Sequence, residues 1–91
     1  METKETAIIT VIGRDTVGIL AKVAAAAAQA NANIVQVSQI VMSGIFTMNM
    51  QIEVDGMSCS IPQLEEKIKA ELPGYDIHVM HENIFSSMHT I

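Results

Sequence analysis

Residues 45–54 read Ile-Phe-Thr-Met-Asn-Met-Gln-Ile-Glu-Val. From Phe46 onward apolar and polar side chains alternate without a break. Phe46, Met48, Met50, Ile52 and Val54 point one way; Thr47, Asn49, Gln51 and Glu53 point the other. A period of two fits a strand with one face in a core and the other wet or turned to a partner. The chain therefore needs a sheet covered on one side, and the other segments must supply the remaining strands and the cover.

Those segments are legible. Thr6 to Ile12 is rich in β-branched residues and ends at Gly13, which predicts a first strand, with Ala7, Ile9 and Val11 on one face and Ile8, Thr10 and Ile12 on the other. A turn, Gly13-Arg14-Asp15-Thr16-Val17-Gly18, leads into a helix that Asp15 or Thr16 can cap. Ile19, Leu20, Val23, Ala27 and Ala30 follow helical spacing, and the run Ala24 to Ala28 has the best helix propensity available. Asn31-Ala32-Asn33 ends this helix, because Asn tolerates the left-handed conformation. Ile34 to Met42 predicts a second strand, joined by Ser43-Gly44 as a hairpin turn to the alternating strand.

After Asp55-Gly56 and a loop from Met57, Ser60 and Gln63 form a capping-box pattern. Ile61, Leu64, Ile68 and Leu72 mark the buried stripe of a second helix, Glu65 and Lys69 can pair one turn apart, and Pro73-Gly74 stops it. Tyr75 to Glu82 predicts a fourth strand with Ile77 and Val79 inward. The tail from Asn83 places Ile84, Phe85, Met88 and Ile91 at helical spacing, as in a short helix.

The order is β-α-β-β-α-β. Two right-handed split βαβ halves give an α+β fold: a four-stranded antiparallel sheet, both helices on one face, strands one and three in the centre. One sheet face and two edges are then left over. The 91 residues are expected to form one domain spanning 1–91. A domain this small buries only about 60% of the surface its unfolded chain exposes. With only 16% of residues charged, apolar surface should remain for a partner or a second copy.

Several function classes are disfavoured. The formal net charge is −5, and the five cations (Lys4, Arg14, Lys22, Lys67, Lys69) form no large patch, so no nucleic-acid footprint is expected. The alanine run is too short and too weakly hydrophobic to span a membrane. One cysteine, Cys59, rules out an internal disulfide framework, and the polar start Met-Glu-Thr-Lys-Glu is no signal peptide, which points to the cytoplasm. Cys59 has no adjacent base, which argues against a catalytic thiol. His78 and His81, three apart on a strand, face opposite ways and cannot easily share an ion; His89 lies on the tail. Neither a metal nor another cofactor is expected. Met48 and Met50 belong to the core, whereas Met57, Met80 and Met88 are candidates for an interface.

The turn carries the functional signal. Free N–H groups at a helix start, with glycines beside them, suit a small anion or carboxylate. Ordinary strand-to-helix geometry, with Gly18 present for close packing, accounts for the same residues. Asp15 reads equally as an N-cap or a ligand contact, Asn33 as a turn residue or a ligand contact, and Arg14 as a solvated charge or a carboxylate clamp.

Gly13-Arg14-Asp15-Thr16-Val17-Gly18-Ile19-Leu20 after a strand, Asn33-Ile34 opening strand two, and the ending Asn83-Ile84-Phe85-Ser86-Ser87-Met88-His89 together resemble the ACT domain family. The ending is similar to that of its stand-alone UPF0237 members. The resemblance covers nearly the whole chain. It implies a ferredoxin-like fold and a regulatory, non-enzymatic module that senses amino acids. It further implies side-by-side pairing of two copies into an eight-stranded sheet, with ligand at the interface. By the same resemblance Gly18, Ile19 and Leu20 offer backbone contacts, and Asp15 and Asn33 hold the ligand's amino and carboxyl groups. Gly13 and Arg14 complete the expected site. Two positions depart from the pattern: Asp15 stands where amino-acid-binding members often have Asn, and Val17 where many enzyme-linked members have Pro. A ligand carrying both an ammonium and a carboxylate suits Asp15 beside a helix N-terminus better than a phosphate does. Two rival readings stand beside this one. A ligand-free adaptor would bind another protein. An acylphosphatase-type hydrolase is disfavoured, because Arg14 is the only arginine and acidic Asp15 shares its turn.

Overall fold

The computed structural model describes residues 5–83. The expectations for Ile84, Phe85, Met88, His89 and Ile91 lie outside that range. The elements are β1 (Thr6–Arg14), α1 (Ile19–Gln29), β2 (Asn33–Met42), β3 (Ile45–Glu53), α2 (Ile61–Glu71) and β4 (Asp76–His81). They form one antiparallel sheet in the order β2-β3-β1-β4, so β1 and β3 are central, as the sequence predicts.

The alternation decides which face is covered. Ala7, Ile9 and Val11 of β1 are fully buried, as are Met48, Met50 and Ile52 of β3. They pack with Ile19, Val23, Ala26 and Ala27 of α1 and Leu64 and Ile68 of α2 in one core. Fully burying an aliphatic side chain of this size contributes about 1.5–3 kcal/mol, so this single layer carries the fold. Alanines let α1 lie close to the sheet. Met57 is partly buried against the same core, which removes it from the interface candidates.

Turn chemistry fixes the register. Ser43 and Gly44 both have positive φ, 53° and 78°, as a two-residue hairpin turn between right-twisted strands requires. Asn31 takes φ 62° just past α1 and ends that helix. Ser60 Oγ accepts from the Gln63 amide at 3.2 Å, and Gln63 Oε1 accepts from the Ser60 amide at 2.9 Å, completing the capping box.

The sheet edges differ from expectation. Glu65 Oε1 on α2 accepts from the Val79 amide at 2.8 Å, so the β4 edge is not left bare. Lys69 Nζ lies 3.1 Å from Glu65 Oε2. The backbone donor and then Lys69 hold the Glu65 carboxyl below its ordinary value against the opposing effect of burial. The fourth strand also stops at His81. Glu82 instead accepts from Thr6 Oγ1 at 2.6 Å and from Gln51 Nε2 at 2.7 Å, both on the helix-free face, and these donors lower its pKa.

Candidate functional site

The turn after β1 is held by three contacts, none of which uses an α1 amide. The Asp15 amide donates to the Gly44 carbonyl at 2.9 Å, tying the turn to the β2–β3 hairpin. The Tyr75 hydroxyl donates to the Arg14 carbonyl at 2.6 Å. Thr16 Oγ1 and Tyr75 Oη are 2.8 Å apart; because the phenol proton is already on the Arg14 carbonyl, Thr16 is the donor there. Gly13 makes room for this arrangement. A Cβ at Gly13 would sit 2.3 Å from Tyr75 Cδ2, so the ring lies flat against the glycine backbone.

Neither Asp15 nor Thr16 caps α1, contrary to the sequence expectation. The N-cap is Gly18, with φ 90° and no side-chain cap. Asp15 and Thr16 lie too early in the turn, and the Thr16 hydroxyl is committed to Tyr75. Gly18 is not needed for close packing either, since a Cβ there would meet nothing within 4 Å; its φ alone demands glycine. The first helical bond runs from the Lys22 amide to the Gly18 carbonyl, at 3.0 Å. The amides of Ile19, Leu20 and Ala21 precede it at the positive end of the helix. The Ile19 side chain is buried, so Ile19 can offer only its backbone, while Leu20 is half exposed and Arg14 and Asp15 are exposed.

Asn33 is not part of this cluster within one chain. β3 lies between β2 and β1, so Asn33 at the start of β2 is not beside the turn. Asn33 pairs with Glu53, and Glu53 with Thr6, at the far end of β1 from the turn. Eight residues of strand separate Thr6 from Arg14, about 26 Å. The Asn33 side chain donates to Glu53 Oε1 at 3.0 Å. The structure thus gathers Gly13, Arg14, Asp15, Gly18, Ile19 and Leu20, and leaves Asn33 outside. It adds Tyr75, which sequence reasoning missed. The one available signal was a glycine ending an otherwise β-branched strand, with the chain's single tyrosine just after a helix stop.

Among the described residues no helix is long and apolar enough to cross a membrane. No three His, Cys, Asp or Glu side chains among them gather as metal ligands would.

An ACT domain family model matches residues 5–80. The chain belongs to the ACT domain family. A UPF0237 protein of Lactococcus lactis is 45% identical over 85 residues, covering 93% of this chain and 98% of that one. Another, from Methanococcus maripaludis, is 42% identical over 90 residues, covering 96% and 99%. These matches place the chain in the UPF0237 group. Among solved structures, an ACT domain protein from Streptococcus pneumoniae superposes with a TM-score of 0.75 at 28% identity, over 98% of this chain and 99% of that one. The ACT domain here therefore has the ferredoxin-like fold of its relatives.

Proposed function

We propose that this ACT domain is a non-enzymatic regulatory module, a homodimer that holds a small amino-acid-like effector at the Gly13–Leu20 turn. The observation that carries the reading is the open start of α1: a left-handed Gly18, no side-chain cap, and three amides turned toward the turn. A carboxylate satisfies those amides and the helix dipole, with Arg14 exposed nearby for a second contact. Asp15, also exposed, suits the ammonium group of the same molecule.

A second copy supplies what one chain lacks. Antiparallel pairing of β2 with its symmetry mate over the full length of the strand would set Asn33 of the partner subunit opposite Met42. That is the hairpin end of the sheet, where Gly44 already contacts Asp15. An effector spanning the two subunits would favour one dimer arrangement and so signal to a regulated protein by population shift.

Calorimetry of the protein against the twenty amino acids tests this. Heat with at least one, lost in Asp15→Ala and in Asn33→Ala, is the expected result; no heat with any of them would sink the amino-acid reading. The exposed apolar β2 edge favours a second reading, an adaptor that binds another protein without ligand. In that case Asp15→Ala and Asn33→Ala leave partner capture intact, while a charge placed on β2 abolishes it.

A further inference from the structure

We propose that Tyr75 is a positioning residue for the effector turn, holding it in its binding shape and coupling it to the α2–β4 junction. The proposal rests on the reading of the turn as the effector site. Tyr75 lies between the Pro73-Gly74 stop of α2 and the start of β4 at Asp76, 59 residues from Thr16 in sequence. It nevertheless fastens the turn at three consecutive kinds of contact. Its ring covers Gly13, its proton goes to the Arg14 carbonyl, and its oxygen accepts from Thr16. Between the end of the β1 ladder at Arg14 and the first helical bond at Gly18, the other backbone tie among the described residues is the Asp15 amide to Gly44. The α1 amides can converge on a carboxylate only while Arg14 to Gly18 keeps this path. Tyr75 touches none of those amides, so it acts on the effector through the turn.

Coupling follows from the same contacts. Whatever stabilises the turn stabilises the Tyr75 latch, and by linkage the latch favours the bound turn equally. Tyr75 moves with the end of α2, whose Leu72 carbonyl accepts from the Tyr75 amide at 3.3 Å. Effector occupancy at β1–α1 is thereby felt at the opposite helix.

The chain has one tyrosine and no tryptophan, so tyrosine emission reports this latch alone. The test uses the full-length protein and two variants. Tyr75→Phe keeps the ring on Gly13 and removes the hydroxyl. Gly13→Ala keeps the hydroxyl and drives the ring off. Without ligand, exchange of the Asp15 amide, which the Gly44 carbonyl protects, should rise about tenfold in both variants, with the Ile68 amide unchanged, as expected for losing hydrogen bonds at the turn alone. With an amino acid that gives heat on the parent protein, both should bind about tenfold more weakly while remaining dimers, and that amino acid should change the parent's tyrosine emission. Unchanged exchange in both variants, unchanged affinity, or unchanged emission on binding would each overturn the proposal while leaving the effector site standing. If the parent binds no amino acid, the effector reading fails by itself, and the exchange result still decides whether Tyr75 holds the turn.

Discussion

β4 and β2 both border the sheet, yet among the described residues only β4 is closed by another element. β4 is six residues long; its Val79 amide, which would otherwise face outward, is taken by Glu65, and Asp76 and His78 add polar side chains. β2 is ten residues long and exposed at every position, including Val35, Val37, Ile40, Val41 and Met42. Its one irregularity, between Ile34 and Gln36, lies near the start and leaves Gln36 to Met42 in regular pairing. A long, exposed, apolar edge is what natural sheets usually avoid. The contrast shows that this chain has the means to close an edge from a neighbouring helix, and that no described residue does so on β2. An edge left open in that way is the surface that the proposed dimer would cover.

The largest predicted effect breaks the contrast at β2. Val37 is 37% exposed on the helix side of the sheet, so Val37→Lys can extend its ammonium into water without unfolding a single subunit. Pairing of the β2 strands would bury part of each added lysine stem and bring the two charges close together on one face of the sheet, at a cost in desolvation and repulsion. We expect dimer affinity to fall at least about 100-fold, roughly 3 kcal/mol, read as a shift from dimer to monomer by sedimentation velocity. The matching charge on the other edge, His78→Lys, should leave the dimer unchanged. Equal losses from both variants would mean that the edges do not differ in role.

A smaller effect comes from opening the closed edge. Glu65→Ala leaves the Val79 amide without its acceptor and Lys69 without its pair. The carboxylate is partly solvated, so the cost is about 1 kcal/mol, which lowers Tm by about 4–8 °C in a domain of this size. The variant should also self-associate beyond a dimer at high concentration, because its two edges now resemble each other. A stable Tm with unchanged association would show that Glu65 contributes nothing to closing β4.

Much of this contrast was legible in the sequence, and some was not. The alternation in β3, the Ser60–Gln63 box, the Ser43-Gly44 turn and the Glu65–Lys69 pair are local patterns, and each sets its own geometry. The central place of β1 and β3 follows from handedness. What failed depends on contacts distant in sequence. Asp15 looked like a helix cap, but Gly18 starts α1, and the turn is instead shaped by Gly44 and Tyr75. The resemblance puts Asn33 with the turn in one site, whereas within one chain the β2-β3-β1 arrangement sends it to the opposite end. Helical spacing gives Glu65 as half of a surface pair with Lys69; its bond to a strand amide depends on the fold. The site was therefore half visible: the open helix start in the sequence, the latch and the missing Asn33 only in the fold.

The smallest effect sharpens the contrast through pH. The Val79 amide and Lys69 lower the Glu65 pKa below its ordinary 4.5. A carboxyl whose folded pKa is depressed stabilises the fold above its unfolded pKa, and that contribution is lost as pH falls through the folded pKa. Glu65→Gln keeps an oxygen that can accept from Val79 but cannot be charged. The parent should therefore have the higher Tm near neutral pH, and the gap between the two should begin to close near pH 4.5 and vanish below the folded pKa. Glu82, whose pKa is also lowered through Thr6 and Gln51, remains in the variant, so acid will still destabilise it, only less steeply. Adding salt should shrink the same gap at neutral pH, because the Lys69 share of it is a screened surface pair while the bond to Val79 is not. A gap that persists unchanged down to pH 3 would show that Glu65 closes the β4 edge by shape alone and that its charge has no part in distinguishing β4 from β2.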